Sequence, residues 1–278
     1  MKDNRIAMMG SICGDIIGSA YEFRPTKRYD FPLFTRKSTY TDDTVMTCAV
    51  ADWLMTDVAL EEKMQDWGRV HLDAGYGPMF YRWIIADFPR PYNSFGNGSA
   101  MRVSPVVWFA TSLEECLRLA KVSAEVTHNH PEGIKGAQAT ASAVYLARTG
   151  GTKEEIKKYI TDTFGYNLER KYSDIKPNYK FDVTCQGSVP ESIICFLEST
   201  NYESAIRLAV SMGGDADTMG AITGGIAAAF YKEIPDKIAG TCLDLLPDDI
   251  YEIVTKFSAI LNKWEVESVT TPKKGLQI

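Results

Sequence analysis

Residues 213–231 read GGDADTMGAITGGIAAAFY. The later part holds Gly220, Gly224, Gly225 and Ala227 to Ala229. A glycine costs about 1 kcal/mol against alanine inside a helix, so this many glycines in one run need a packing or site reason. Small side chains let helix axes approach closely, which suits a helix at the centre of a domain. The earlier part, Gly213-Gly214-Asp215-Ala216-Asp217-Thr218, sets two acids and a hydroxyl directly before that helix.

Helical spacing extends outward from this run. Val45, Met46, Ala49, Val50, Trp53 and Leu54 recur at steps of three and four, which lines one helix face. Ile134, Ala137, Ala141, Val144 and Tyr145 repeat it. So do Ile193, Ile194 and Leu197, then Ala205, Leu208 and Ala209, and finally Ile250, Ile253, Val254, Phe257 and Leu261. The best strand-like run is Val103 to Phe109, and Pro105 argues against it as a central strand. No alternation of strands and helices marks a parallel sheet. The expected fold is all-α, a compact orthogonal multi-helix bundle around a central Gly/Ala-rich helix. The polar, Lys- and Tyr-rich segment 157–188, with Pro177, reads as a long surface excursion at a pocket rim. No linker or repeat divides the chain, so one domain over 1–265 is expected, with 266–278 as a flexible tail.

The 278 residues suffice for a large core. Acidic residues outnumber basic ones, 36 to 30, for a formal charge of -6. No Lys/Arg run offers a grip on a nucleic-acid backbone. The six cysteines form no CxxC pair and lie mostly in apolar stretches, as reduced, buried thiols do. Asp3 and Asp15 interrupt any leader-like pattern at the start. The longest apolar stretch, Ala221 to Phe230, falls short of the roughly 18–20 residues of a membrane helix. A cytoplasmic protein with no membrane partner is expected.

Two acidic clusters stand out, Thr41-Asp42-Asp43-Thr44 before one amphipathic helix and Asp215-Ala216-Asp217-Thr218 before the Gly/Ala-rich one. Taken alone, either reads first as a helix cap, since hydroxyls and first-turn acids satisfy free N–H groups and the helix dipole. Yet one acid suffices for a cap, and each start carries two. Carboxylate and hydroxyl oxygens are also the ligands that Mg²⁺ and Mn²⁺ prefer. If the clusters meet in space, their repulsion raises some carboxyl pKa values unless cations offset it, and two divalent ions fit that charge count. The spacing is not that of an EF-hand.

Three further stretches carry polar candidates. Asp15, Gly18 and Glu22 share a face if one helix runs through all three, so that Glu22 projects from a glycine-lined helix into a pocket. Asn93-Ser94-Phe95-Gly96-Asn97-Gly98-Ser99-Ala100-Met101-Arg102 is glycine-rich enough to offer backbone N–H groups to a phosphate, although an ordinary turn has the same composition. His128 and His130 are two of only three histidines and have no cysteine beside them, so a polar contact to a ligand is favoured over zinc. No GxSxG or other nucleophile motif occurs.

Together these motifs resemble the ADP-ribosylglycohydrolase family, from about Gly10 to Tyr231. They follow in order as GDxxGxxxE (14–22), TDDT (41–44), GNGxxMR (96–102), TH (127–128) and GGDADT (213–218). The resemblance implies an all-α fold that binds two Mg²⁺, sometimes Mn²⁺, at the base of a cleft. By it Thr41, Asp42 and Asp43 ligate metal from one side, and Asp215, Asp217 and Thr218 from the other. Glu22 matches a pocket glutamate. Gly96, Asn97, Gly98, Ser99, Met101 and Arg102 match a loop holding the diphosphate and its ribose, and His128 a position beside bound ADP-ribose.

The implied reaction is cleavage of the glycosidic bond of an ADP-ribosylated protein or other ADP-ribose conjugate, with Glu22 and Asp43 as candidate bases. The segment 188–197 leans slightly toward serine-type members over arginine-type ones. Two alternatives stand beside this. One is a non-catalytic binding or structural member of the same fold. The other is a prenyl-diphosphate enzyme, whose DDxxD motif Asp42-Asp43-Thr44-Val45-Met46 does not complete.

Overall fold

A computed structural model describes residues 6–270, with side-chain surroundings through residue 263. Among the described residues there are fifteen helices and no strand; Gly96 and Thr184 form one isolated antiparallel bridge. In chain order the helices are α1 (Ile6–Ser19), α2 (Asp42–Leu54), α3 (Leu60–Val70), α4 (Pro78–Ile84), α5 (Gly98–Met101), α6 (Ser104–Phe109), α7 (Leu113–Glu125) and α8 (Pro131–Arg148). There follow α9 (Lys153–Phe164), α10 (Tyr172–Ile175), α11 (Cys185–Glu198), α12 (Tyr202–Ser211), α13 (Ala216–Tyr231), α14 (Asp236–Asp244) and α15 (Asp248–Thr270).

The Gly/Ala-rich helix is α13, and it is the hub. It is buried from Ala216 to Ala229 and packs against α1, α5, α8, α11 and α12. Its main partner, α1, is buried from Ile6 to Gly18. The two run antiparallel with backbone against backbone. A methyl group on Gly14 would sit 2.0 Å from the Gly220 carbonyl oxygen, one on Gly18 would sit 2.2 Å from that of Ala216, and one on Gly224 would sit 2.2 Å from that of Gly10. The glycines at every fourth position of α1 thus face Gly224, Gly220 and Ala216 in turn. No side chain fits between the helices at Gly14, Gly18 or Gly220, where a methyl would meet backbone.

The other helices follow their apolar faces. Ile250, Ile253, Val254, Phe257 and Leu261 of α15 are all buried, as their spacing requires. The strand-like run 103–109 is helix α6, with Pro105 in its first turn, where the missing N–H costs nothing. All six cysteines are buried and free. The excursion is shorter than expected: 157–164 belong to α9, and Tyr166, Leu168 and Tyr172 are buried. The expected tail begins inside α15, which continues to Thr270; residues 271–278 lie outside the described residues. No helix among the described residues is long and apolar enough to cross a membrane.

The α1–α13 contact makes a clear prediction. Gly14→Ala should destabilise the protein by about 3 kcal/mol, because the new methyl has only backbone to displace. Gly240→Ala in α14, where nothing lies within 4 Å of the added methyl, should be neutral or stabilising by up to about 1 kcal/mol. Urea unfolding of the two variants measures the difference.

Candidate functional site

The antiparallel α1–α13 pair brings the C-terminal end of α1 beside the N-terminal end of α13. Asp15, one turn before the end of α1, then holds the start of α2. Its carboxylate accepts from the Thr41 and Thr44 N–H groups at 3.0 and 3.1 Å and from their hydroxyls at 2.8 and 2.5 Å. Asp15 is fully buried rather than an exposed helix acid. Burial lifts its carboxyl to about 6, and these four bonds oppose the shift. Thr41 is the N-cap of α2 and accepts from Asp43 N–H.

The two acid-bearing motifs meet. Thr218 Oγ1 donates to Asp43 Oδ2 at 3.2 Å across 175 residues of sequence. Asn97 Nδ2 donates to Asp215 Oδ2 at 2.7 Å and to Ser188 Oγ at 3.2 Å. Asp215 makes no side-chain cap bond although it stands at the N-cap of α13, so capping does not explain it. Glu22, Asp215 and Asp217 each offer a carboxylate oxygen within 4.8 Å of the others.

The electrostatics are those of crowded, buried like charges. Burial, then repulsion from Asp217 and Asp15, raises the Asp42 and Asp43 carboxyls well above the usual range. Burial, then Asp215, raises Asp217. Asp215 is pushed to about 6 chiefly by burial. Half-buried Glu22 is pushed to about 8 by desolvation and by Asp217 beside it. Asp43 Oδ1 is buried without a hydrogen-bond partner. An orphaned carboxylate oxygen among converging carboxylates and hydroxyls is the donor set of a hard divalent cation, and the residues present fit such an ion.

These groups line a pocket of about 540 Å³ together with Gly96, Asn97, Gly98, Met101, Arg102 and His128. The glycine loop and His128 fit each other: a methyl on Gly98 would sit 3.0 Å from His128 Nε2 and one on Gly96 would sit 3.5 Å from it. Arg102 Nη2 donates to Thr127 Oγ1 at 2.9 Å, and that hydroxyl lies 2.7 Å from His128 Nδ1. The order is satisfied when Thr127 donates to Nδ1, which leaves Nε2–H as a donor facing the loop. Burial and the Arg102 charge keep His128 neutral.

Several expected residues sit elsewhere than the sequence suggested. Glu22 lines the pocket but not from a helix, because α1 stops at Ser19 and Glu22 follows in a bend. Thr41 and Ser99 do not line the pocket; the Ser99 hydroxyl donates to Gly133 O at 2.7 Å and ties α5 to α8. Arg102 is almost fully buried and spends its Nη2 on Ser123 O and Thr127, while its Nε lacks a partner. The sequence reading missed an aromatic wall: Phe23, Tyr76, Phe80, Tyr92 and Phe181 all line the pocket. Gly75-Tyr76-Gly77-Pro78, which opens α4, was its one visible trace.

Fold and site define an all-α protein whose pocket is lined in part by a carboxylate cluster suited to a hard cation. Residues 3–267 match the ADP-ribosylglycohydrolase family, and the chain belongs to it. It is an enzyme of that glycosidic-bond hydrolase class. The chain is 24% identical to ADP-ribosylhydrolase ARH3 of Mus musculus, over 91% of this chain and 92% of that protein. It is also 24% identical to ADP-ribosylarginine hydrolase Tri1 of Pseudomonas putida, over 81% and 69% respectively. A solved structure described as an ADP-ribosylglycohydrolase-related protein complex shares the fold, with a TM-score of 0.71 at 24% identity over 94% of this chain and 98% of that one.

The carboxylates set the sign of a pH effect. Asp15 and Asp215 rise from 3.8 to about 6 and Glu22 from 4.5 to about 8 on folding. The folded state therefore binds protons more tightly. The stability this lends is complete below the unfolded pKa values and is lost as pH climbs through the folded ones. Without divalent metal, the melting temperature should fall by at least ~5 °C between about pH 5 and pH 8. Mg²⁺ or Mn²⁺ should restore most of it at the upper end. Scanning calorimetry with and without chelator reads both.

Proposed function

We propose that this chain hydrolyses the glycosidic bond between ADP-ribose and a modified protein side chain, arginine or serine, or a small acceptor, and so reverses ADP-ribosylation. Its cofactor in this reading is a pair of Mg²⁺ ions, with Mn²⁺ as a substitute. It acts in the cytoplasm as a single domain over 1–265. The observation that carries the reading is the meeting of the two acid-bearing motifs, Thr218 Oγ1 on Asp43 Oδ2, in the lining of an ADP-ribose-sized pocket.

In this reading Asp42 and Asp43 hold the cations from the α2 side, with Thr41 behind them bonded to Asp15 and capping the helix, and Asp215, Asp217 and Thr218 hold them from the α13 side. Bound there, the ions would offset the carboxylate repulsion and bind and orient the ribose hydroxyls. Asn97 keeps Asp215 turned inward. Gly96, Gly98 and Met101 give the diphosphate and its ribose a close backbone approach, and Ser99 contributes through its main chain, since its hydroxyl is engaged. His128 Nε2–H is a donor facing the same loop. The buried guanidinium of Arg102 also brings positive charge to the diphosphate end of the pocket.

Of the two candidate bases, Asp43 accepts from Thr218 through Oδ2. Glu22 stands half-buried on the pocket wall with a carboxyl lifted to about 8. Glu22 is also the more open of the two to water in the pocket, since Asp43 is buried, and this makes it the better group to take a proton from the attacking water. The oxocarbenium-like character of glycosidic cleavage gains from the negative field of the surrounding carboxylates.

The test is release of ADP-ribose from arginine-linked and serine-linked ADP-ribosylated peptides. Wild-type protein should release it with Mg²⁺ and not with chelator. Asp42→Ala and Asp217→Ala should each lower the rate by at least about 100-fold while the circular dichroism spectrum stays helical. Full activity in either variant, or undiminished release in chelator, would refute the ligand assignment.

A further inference from the structure

Lys27 belongs to none of the sequence motifs and does not line the pocket. Its ammonium nevertheless donates to three main-chain carbonyls: Lys176 O at 2.7 Å, Tyr179 O at 2.8 Å and Met212 O at 2.5 Å. The lysine and its acceptors come from three segments, and each segment leads into the site. Lys27 follows Glu22 along the irregular stretch after α1. Lys176 and Tyr179 precede Phe181 and Val183 on the pocket rim. Met212 is the C-cap of α12 and is followed by Gly213, Gly214 and Asp215.

The glycine pair of GGDADT is shaped to this junction. Gly213 has φ +74°, and a methyl there would sit 2.8 Å from Lys27 Cε and 3.0 Å from Nζ. A methyl on Gly214 would sit 2.3 Å from Tyr179 Cε1, and the Tyr179 hydroxyl donates to Gly187 O at 2.7 Å. The lysine stem lies on one glycine and the tyrosine ring on the other. The stretch after α1 has other anchors, but they lead elsewhere. Tyr21 donates to Pro32 O within the stretch, and Arg207 Nη1 on α12 donates to Tyr29 O and Phe31 O. The Lys27 bonds tie the stretch carrying Glu22 to the main chain of the turn that leads into Asp215, beside the side-chain hydrogen bond between Glu22 and Asp217 themselves.

We infer that Lys27 is a positioning residue whose ammonium, by gripping the carbonyls of the excursion and of the turn before Asp215, sets the spacing between Glu22 and the Asp215–Asp217 pair. The inference rests on the cation-dependent reading above. Ligands must be held to within about 0.5 Å for tight binding, and an irregular stretch holds no such tolerance by itself. A tetrahedral ammonium meets three carbonyls converging from three directions. A planar guanidinium does not, so arginine should fail to substitute.

The experiment is calorimetric titration of the apoprotein with Mn²⁺ alone. Lys27→Met keeps the stem on Gly213 and removes the donors; its Mn²⁺ affinity should fall by about tenfold or more. Turnover on ADP-ribosylated peptide should recover at saturating Mn²⁺. Arg207→Met, which frees the same stretch from α12, should lower the melting temperature yet leave Mn²⁺ affinity within about twofold of wild type. If Lys27→Met does not fold, Lys27→Arg takes its place, with the same loss expected. Wild-type Mn²⁺ affinity in a folded Lys27 variant overturns the inference, as does an equal loss in Arg207→Met. A wild-type protein that binds no divalent cation fails the cation-dependent reading instead, and the inference falls with it.

Discussion

The close backbone contact between α1 and α13 is the constraint from which the site follows. Two helices touching through Gly10, Gly14, Gly18, Gly220 and Gly224 can adopt only one register, because each glycine faces the opposing backbone at a fixed step. That register aligns the last turn of α1 with the first turn of α13. Asp15, held in the last turn of α1, then captures the start of α2 through both Thr41 and Thr44. Three helix ends meet in one place, and two of them are N-termini, whose dipoles favour negative charge. The acids therefore sit where the helix frame tolerates them best, and glycines and acids share one short stretch for one geometric reason.

Tolerance is not comfort. The Asp42, Asp43 and Asp217 carboxyls are all driven well above their ordinary range, first by burial and then by one another. A stability-driven interior would replace such groups with apolar ones. Here the surrounding structure carries the strain: α1 and α13 are almost entirely buried, and aromatic rings line the same pocket as the acids. Excess like charge held rigidly before any ligand arrives is electrostatic preorganisation, of use only if a positive partner completes it. The unpartnered Asp43 Oδ1 marks the same incompleteness at the level of one atom.

What the sequence made legible was local. Helical spacing exposed α2, α8, α11, α12 and α15, and TDDT and GGDADT displayed their acids within a few residues. Reading failed where the answer lay in tertiary structure. The step from Asp15 to Glu22 looks helical, but α1 ends at Ser19, whose hydroxyl turns back to Ile16 O, and Glu22 sits in the bend beyond. The bond from the Ser99 hydroxyl to Gly133 O, which ties α5 to α8, has no mark in the sequence. Tyr76, Phe80, Tyr92 and Phe181 carry no motif and reach the pocket from separate segments. Lys27 reads as one more surface lysine, because its three acceptors are carbonyls more than a hundred residues away in sequence.

The glycines show how composition misleads and then informs. Glycine-rich stretches suggest flexible loops, yet most glycines of these motifs leave room for a particular neighbour. Gly98 admits the His128 ring, Gly213 the Lys27 stem, Gly214 the Tyr179 ring, and Gly14 and Gly220 each other's backbones. Of these only Gly213 takes a positive φ, so backbone freedom explains one and close approach explains the rest. Each such approach removes freedom, because the space is filled in the folded state and a neighbour's side chain or main chain is pinned there. The result is a site built from loops and helix ends that is held as firmly as a core. A cluster of mutually repelling carboxylates needs that, since any looser frame would let them move apart.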